Sequence, residues 1–167
     1  MADIHKTVLE RDLNPYHSFL ASFFAGLAEM GMLNQGSINI VSKRAAEYLF
    51  AYLEAKDILP DLTQYAESPE SERVEAVIDY LNSILSLMGG YHLEQTGPNQ
   101  LALLIAGKQC RICPKGVGGA AIEGTFCPIP NFIESLVNRI TGEETLDLIT
   151  PGIEKEGSTC KAVYQLS

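Results

Sequence analysis

The hydrophobic period of this chain first changes at Gly89-Gly90, and that change limits the folds open to it. Before it, apolar residues recur at intervals of three and four, the spacing of one helix face; directly after it, short apolar runs are bounded by turn residues, the pattern of strands. From Pro15, with Asn14 as cap, the residues Phe19, Leu20, Phe23, Phe24, Leu27 and Met30 form one apolar helix face that ends between Gly31 and Gly36. A second helix is expected over about 39–56, through Ala45, Tyr48, Leu49, Tyr52 and Leu53, stopping near Pro60. A third carries Val74, Val77, Ile78, Leu81, Ile84, Leu85 and Met88. Pro69 and the acidic ESPESE stretch stand at its start and the glycine pair at its end.

Beyond Gly90, YHLEQT and QLALLIAG flank Gly97-Pro98-Asn99 and read as a β-hairpin whose second strand, apolar on both faces, is central and covered. PIPNFIESLVNRI suits a helix with Phe132, Ile133, Leu136, Val137 and Ile140 on one side, and two short strands should close the chain near 144–149 and 159–166. The expected fold is α+β, with N-terminal helices packed on a mainly antiparallel sheet of about four strands with one crossover helix. At 167 residues, one domain over 1–167 is expected, with a helical lead-in over 1–90 and a cysteine-containing α+β part over 91–167.

All four cysteines lie in that second part, each at an expected element boundary. Two residues separate Cys110 from Cys113, thirteen more precede Cys127 and thirty-two precede Cys160. Two-residue spacing lets both thiolates of a tight turn reach one ion, and two distant thiolates complete the tetrahedron that zinc prefers. Cys127 precedes a helix start, where free backbone N–H groups favour a thiolate. Lys108, Arg111 and Lys115 are expected to offset the negative charge of such a site. Zinc is the favoured cofactor. An iron–sulfur cluster, a redox pair and plain burial are the alternatives, and Glu123, Glu154 or Glu156 could replace one thiolate.

Other chemistry is sparse. GVGGAAIEG has no Walker-type pattern, and His5, His17 and His92 are scattered without a nucleophile or carboxylate companion, His17 being the best placed. Phe19, Phe23 and Phe24 on the first helix and Tyr48, Phe50 and Tyr52 on the next could line an apolar pocket for a hydrophobic small molecule, against the simpler reading of core packing. The net charge of -9 argues against nucleic acid as a partner. The charged opening MADIHKTVLERDLNP lacks the apolar centre of a secretion signal, and the uncharged run 13–28 falls short of the ~20 apolar residues that span a bilayer. A cytoplasmic protein without a membrane span is expected, a setting in which thiols stay reduced.

Three stretches, CRICPKGVGG, GTFCPIPNFIESLV and STCKAVYQL, resemble the vinyl-4-reductase-type domain family, also described as hydrocarbon-binding, over residues 72–166. The resemblance implies a small-molecule-binding α+β domain, similar in fold to subunits of a Golgi transport particle and to ligand-sensing domains, in which dimers are common and zinc is held by cysteines and one glutamate. This chain departs from that pattern before Cys160, where TPGIEKEGST lacks the usual Glu and Cys together. The expected function is therefore a zinc-containing domain that binds a hydrophobic small molecule, a sensor or carrier acting through a partner and forming a homodimer through its N-terminal helices. A tetrapyrrole vinyl-group reductase component and an iron–sulfur electron-transfer protein are the alternatives; the chain carries no dinucleotide fingerprint.

Overall fold

Asparagine caps start both long N-terminal helices in the computed structural model, which describes residues 4–115, 127–149 and 152–167. Asn14 Oδ1 accepts the His17 backbone N–H at 2.8 Å while the Asn14 N–H donates to His17 Nδ1 at 3.3 Å, opening α2 (Pro15–Glu29) after a short α1 (Ile4–Glu10). Asn34 and Ser37 repeat the exchange, with both bonds at 2.9 Å, and open α3 (Gln35–Ala55). This start lies four residues ahead of the expected one, because the cap recruits the polar turn QGS that hydrophobic spacing cannot register. A 3₁₀ turn at Thr63–Tyr65 leads to α4 (Glu70–Leu85), which ends at Ser86 in the left-handed region, φ 50°.

Several large apolar residues of α2 face outward, contrary to their expected place in the core. Phe19 and Phe23 are 66% and 52% exposed, whereas His17, Ala21 and Ala25 are buried. The helix carries two stripes, and the small one, at i, i+4 and i+8, lets its backbone approach the rest of the protein closely. His17 stabilises that approach with both ring nitrogens. Its Nδ1 accepts from Asn14, so Nε2 carries the proton and donates to the Leu85 carbonyl at 3.2 Å.

The sheet consists of β1 (Tyr91–Gly97), β2 (Gln100–Ala106), β3 (Leu146–Leu148), β4 (Glu154–Glu156) and β5 (Thr159–Leu166), with α5 (Ile129–Thr141) between β2 and β3. Its order is β1-β2-β5-β3, and β4 also pairs with β5; every pairing among these strands is antiparallel. The α+β expectation holds, with one strand more than foreseen. That strand, EKE, is exposed along its length and so carries no apolar alternation to announce it. As expected, β2 is central, and Leu101, Ala102, Leu103 and Ile105 are buried.

One hydrophobic cluster joins Ala46 and Leu53 of α3, Val74 to Leu81 of α4, Ile129 to Val137 of α5 and the inward residues of β2 and β5. Tyr164 is buried within it and donates to the Pro130 carbonyl at 3.1 Å. Among the described residues, α1 and α2 contribute nothing to this cluster. No described helix is long and apolar enough to cross a membrane.

Candidate metal centre

Three separate pieces of backbone carry the cysteines to one place. Past β2, the Gln109 N–H donates to the Ala106 carbonyl at 2.7 Å, turning the chain back toward the end of α4. There the Gly89 N–H donates to Gln109 O at 2.7 Å and the Arg111 N–H to Leu87 O at 2.9 Å, while Cys110 forms a bridge with Met88. The Cys110–Cys113 turn is thus pinned by main-chain bonds on both sides of its first thiol. Cys160 lies opposite Ile105 of β2 and Lys155 of β4, and strand alternation places it on the same face as buried Ala162 and Tyr164. Cys127 immediately precedes Pro128, the cap of α5.

All four thiols line a cavity of about 120 Å³, together with Arg11, Ile105, Gly107, Lys115, Pro128, Ile153 and Lys155. Gly107 is required there: its N–H donates to the Ser158 carbonyl at 2.7 Å, and a Cβ at this position would meet that same oxygen at 2.6 Å. Without that close approach the β4–β5 turn could not close over the end of β2.

The backbone is arranged to receive thiolates. The amides of Ile112, Lys115 and Ile129, each two residues on, favour the thiolate forms of Cys110, Cys113 and Cys127. The Cys110 thiol donates to Cys113, and this bond, with the Lys115 amide and the Arg11 guanidinium, brings Cys113 down to about 6 against the opposing effect of burial. Cys110 is pushed up because it gives that hydrogen bond and is buried. Burial pushes Cys127 and Cys160 up as well, and the charge on Cys113 adds to it. One thiolate among three neutral thiols is the resulting state. A dication would draw the remaining protons off by replacing burial with direct charge compensation.

Among the described residues, no three His, Cys, Asp or Glu side chains form a ready-made metal-ligand group. The cavity is a convergence of thiols, not a finished coordination sphere. Residues 116–126, including the glycine-rich stretch and Glu123, lie outside the described residues. Glu154 and Glu156 are exposed and off the cavity, Glu156 pairing with Lys161 at 3.4 Å. Strand alternation puts Lys155, between them, on the cavity side.

The surrounding cations differ from those expected. Lys115 lines the cavity, but Lys108 reaches Glu10 at 3.5 Å, and Arg111 turns away to Asp12 at 3.1 Å and to the Ser86 and Arg11 carbonyls. Arg11 and Lys155 take their places. Pairing with Cys160 would have revealed Lys155 had β4 been recognised; Arg11, about a hundred residues away, left no local signal. His5 and His92 are exposed.

The aromatic residues expected to hold a ligand are not gathered into a pocket. Phe19, Phe23, Tyr48 and Tyr52 are exposed on α2 and α3, Phe24 is half-buried, and none of the described cavities is lined by them. The larger groove, about 700 Å³, lies beside α5 among charged residues, with Lys43 and Glu134 paired at 3.3 Å.

No curated protein matches the chain. The resemblance to vinyl-4-reductase-type domains does not stand, because the stretch that carried it lies within a longer match, over residues 31–166, to the model of a different family. On that match, which takes in the sheet, α3 to α5 and all four cysteines, the chain belongs to the MJ0207 family.

Proposed function

We propose that this protein is a non-catalytic binding domain whose four cysteines hold one zinc ion as a structural staple. The reading is carried by Cys110, Cys113, Cys127 and Cys160 lining one cavity from three separate backbone segments, with nearby amides favouring the thiolate form of three of them. Four thiolates fill a tetrahedral zinc and leave no open position for a reacting group, so the ion's work is to tie the β2 turn, the start of α5 and the start of β5 together. Protein purified without added zinc should carry about one zinc per chain, and chelation should lower its stability by ~2.7 kcal/mol when free zinc had stood a hundredfold above Kd. Metal-free folded protein with four titratable thiols would overturn the reading; visible absorption with bound iron would replace zinc by a cluster.

The binding face is assigned to the exposed side of α2, and its occupant to a second copy of the chain. Tyr16, Phe19, Phe23 and Gly26 recur at three- and four-residue intervals, the seam spacing of paired helices, and space around Gly26 is open to a Cβ. Taking ~200 Å² for a large side chain, the exposed parts of this face with Leu20 and Met30 amount to roughly 600 Å², near the ~800 Å² each partner of a standard interface contributes. The helix contains no Lys or Arg and only one acid, Glu29, so it can meet itself in a C2 pair without like-charge cost in a chain of net charge -9. A hydrophobic small molecule has less support, since Phe19, Phe23, Tyr48 and Tyr52 lie on an open surface.

A further inference from the structure

Two arginines exchange places between the N-terminal arm and the cysteine turn. Arg11, just past α1, donates from Nη1 to the Cys113 carbonyl at 3.1 Å and from Nη2 to the Lys115 carbonyl at 2.9 Å. In the other direction, Arg111, inside the Cys110–Cys113 turn, donates from Nε to the Arg11 carbonyl at 3.3 Å and from Nη2 to Asp12 Oδ2 at 3.1 Å. Lys108 and Glu10 add an ion pair at 3.5 Å. Asp12 sits in the left-handed region, φ 52°, which aspartate adopts more readily than most side chains.

These polar bonds tie the arm to the cysteine turn. Leu9 is 81% exposed, and among the described residues α1 adds nothing to the hydrophobic cluster. The arm's partners are the carbonyls of the one turn whose shape a metal would set. Arg11 also lines the thiol cavity, where its positive charge would offset the net negative charge of four thiolates around a dication.

We infer that Arg11 is a positioning residue of the thiol site, and that occupancy of the site by zinc is read out as docking of residues 4–12 on the cysteine turn. The inference rests on the zinc reading above. Metal closes the turn, the closed turn presents the Cys113 and Lys115 carbonyls at the spacing of the guanidinium fork, and the fork holds the arm. By linkage, the arm must tighten the metal by the same factor that the metal tightens the arm. The arm also lies outside the residues matched to the family, 31–166, so the site draws an outer partner from beyond the matched segment.

The test is hydrogen exchange on the full chain, with zinc and after chelation, alongside zinc release to a competing chelator in wild type, Arg11→Gln and Arg11→Lys. The expected result is faster exchange at residues 4–12 on chelation, with α4 amides much less affected, and about tenfold weaker zinc retention in Arg11→Gln. Arg11→Lys, which keeps the charge but loses the fork, should regain part of the retention and none of the arm protection. Unchanged retention in Arg11→Gln, or arm exchange insensitive to chelation in a wild type that does hold zinc, would overturn the latch alone. A wild type without metal would overturn the zinc reading first.

Discussion

Asn82 holds both backbone polar groups of Met88: its Nδ2 donates to the Met88 carbonyl at 2.8 Å, and the Met88 N–H donates to its Oδ1 at 2.9 Å. The side-chain amide thus acts as a piece of strand for the residue that bridges Cys110, so a polar residue on α4 sets where the first thiol stands. Asn138 does the same for Leu146, with both bonds at 2.8 Å, fixing the entry to β3.

Asn82→Ala leaves the N–H and C=O of buried Met88 without this partner and should cost about 3 kcal/mol, at roughly 1–3 kcal/mol per unpaired buried group. The urea midpoint at unchanged slope measures it. A loss under ~0.5 kcal/mol, the range of an ordinary surface substitution, would mean that other groups position Met88.

Tyr164 separates a hydrogen bond from packing. Tyr164→Phe removes only the bond to the Pro130 carbonyl and should cost about 1 kcal/mol, whereas Tyr164→Ala empties a fully buried site and should cost about 3–5 kcal/mol. Equal losses for the two variants in denaturant unfolding would show that the bond, not the ring, ties β5 to α5.

Cys113 in metal-free protein should be the thiol that reacts first. Its value near 6 lies below the ordinary 9.0, so its contribution to stability is fully present above about 9 and is lost as pH falls through about 6. Iodoacetamide labelling read by mass spectrometry should place alkylation at Cys113 with a midpoint near pH 6, while Cys110, Cys127 and Cys160, all shifted upward, stay protonated. Cys110→Ala removes the largest cause of the depression and should move that midpoint upward. A midpoint that stays in place would assign the effect to Arg11 and the Lys115 amide instead.

The α2 face should govern assembly. Phe23→Glu puts a charge in the middle of an uncharged seam and should convert a dimer to a monomer in light scattering, with the melting curve little changed because Phe23 is half exposed. A wild type that is monomeric at high micromolar concentration would remove the second copy as occupant.

Much of the architecture was legible because it is built from local chemistry. Asn14 capping α2, Pro69 at the head of α4 and the Gly97-Pro98-Asn99 turn between β1 and β2 are decided within a few residues, and each stands where its residues indicated. The strand β4 escaped because EKE has no buried face. The start of α3 moved because Asn34 and Ser37 act through hydrogen bonds, not hydrophobicity. The cysteines announced themselves by spacing and by falling at element ends, but spacing could not choose their neighbours. Arg111 sits between two of them in sequence and points away from the cavity; Arg11 lies about a hundred residues distant and lines it.

By itself, then, the sequence determined where α2, α4 and the hairpin begin and that four thiols would lie at element ends, since caps, turns and periodicity act over a turn of helix or a pair of strands. Only the tertiary structure decided which stripe of α2 is covered, which cation meets the thiols and that β4 joins the edge of β5. A period records that side chains share a face. Which face is buried depends on what the distant chain brings against it: for α2 the compact stripe of His17, Ala21 and Ala25 was covered, and the larger, more apolar stripe was left to the outside.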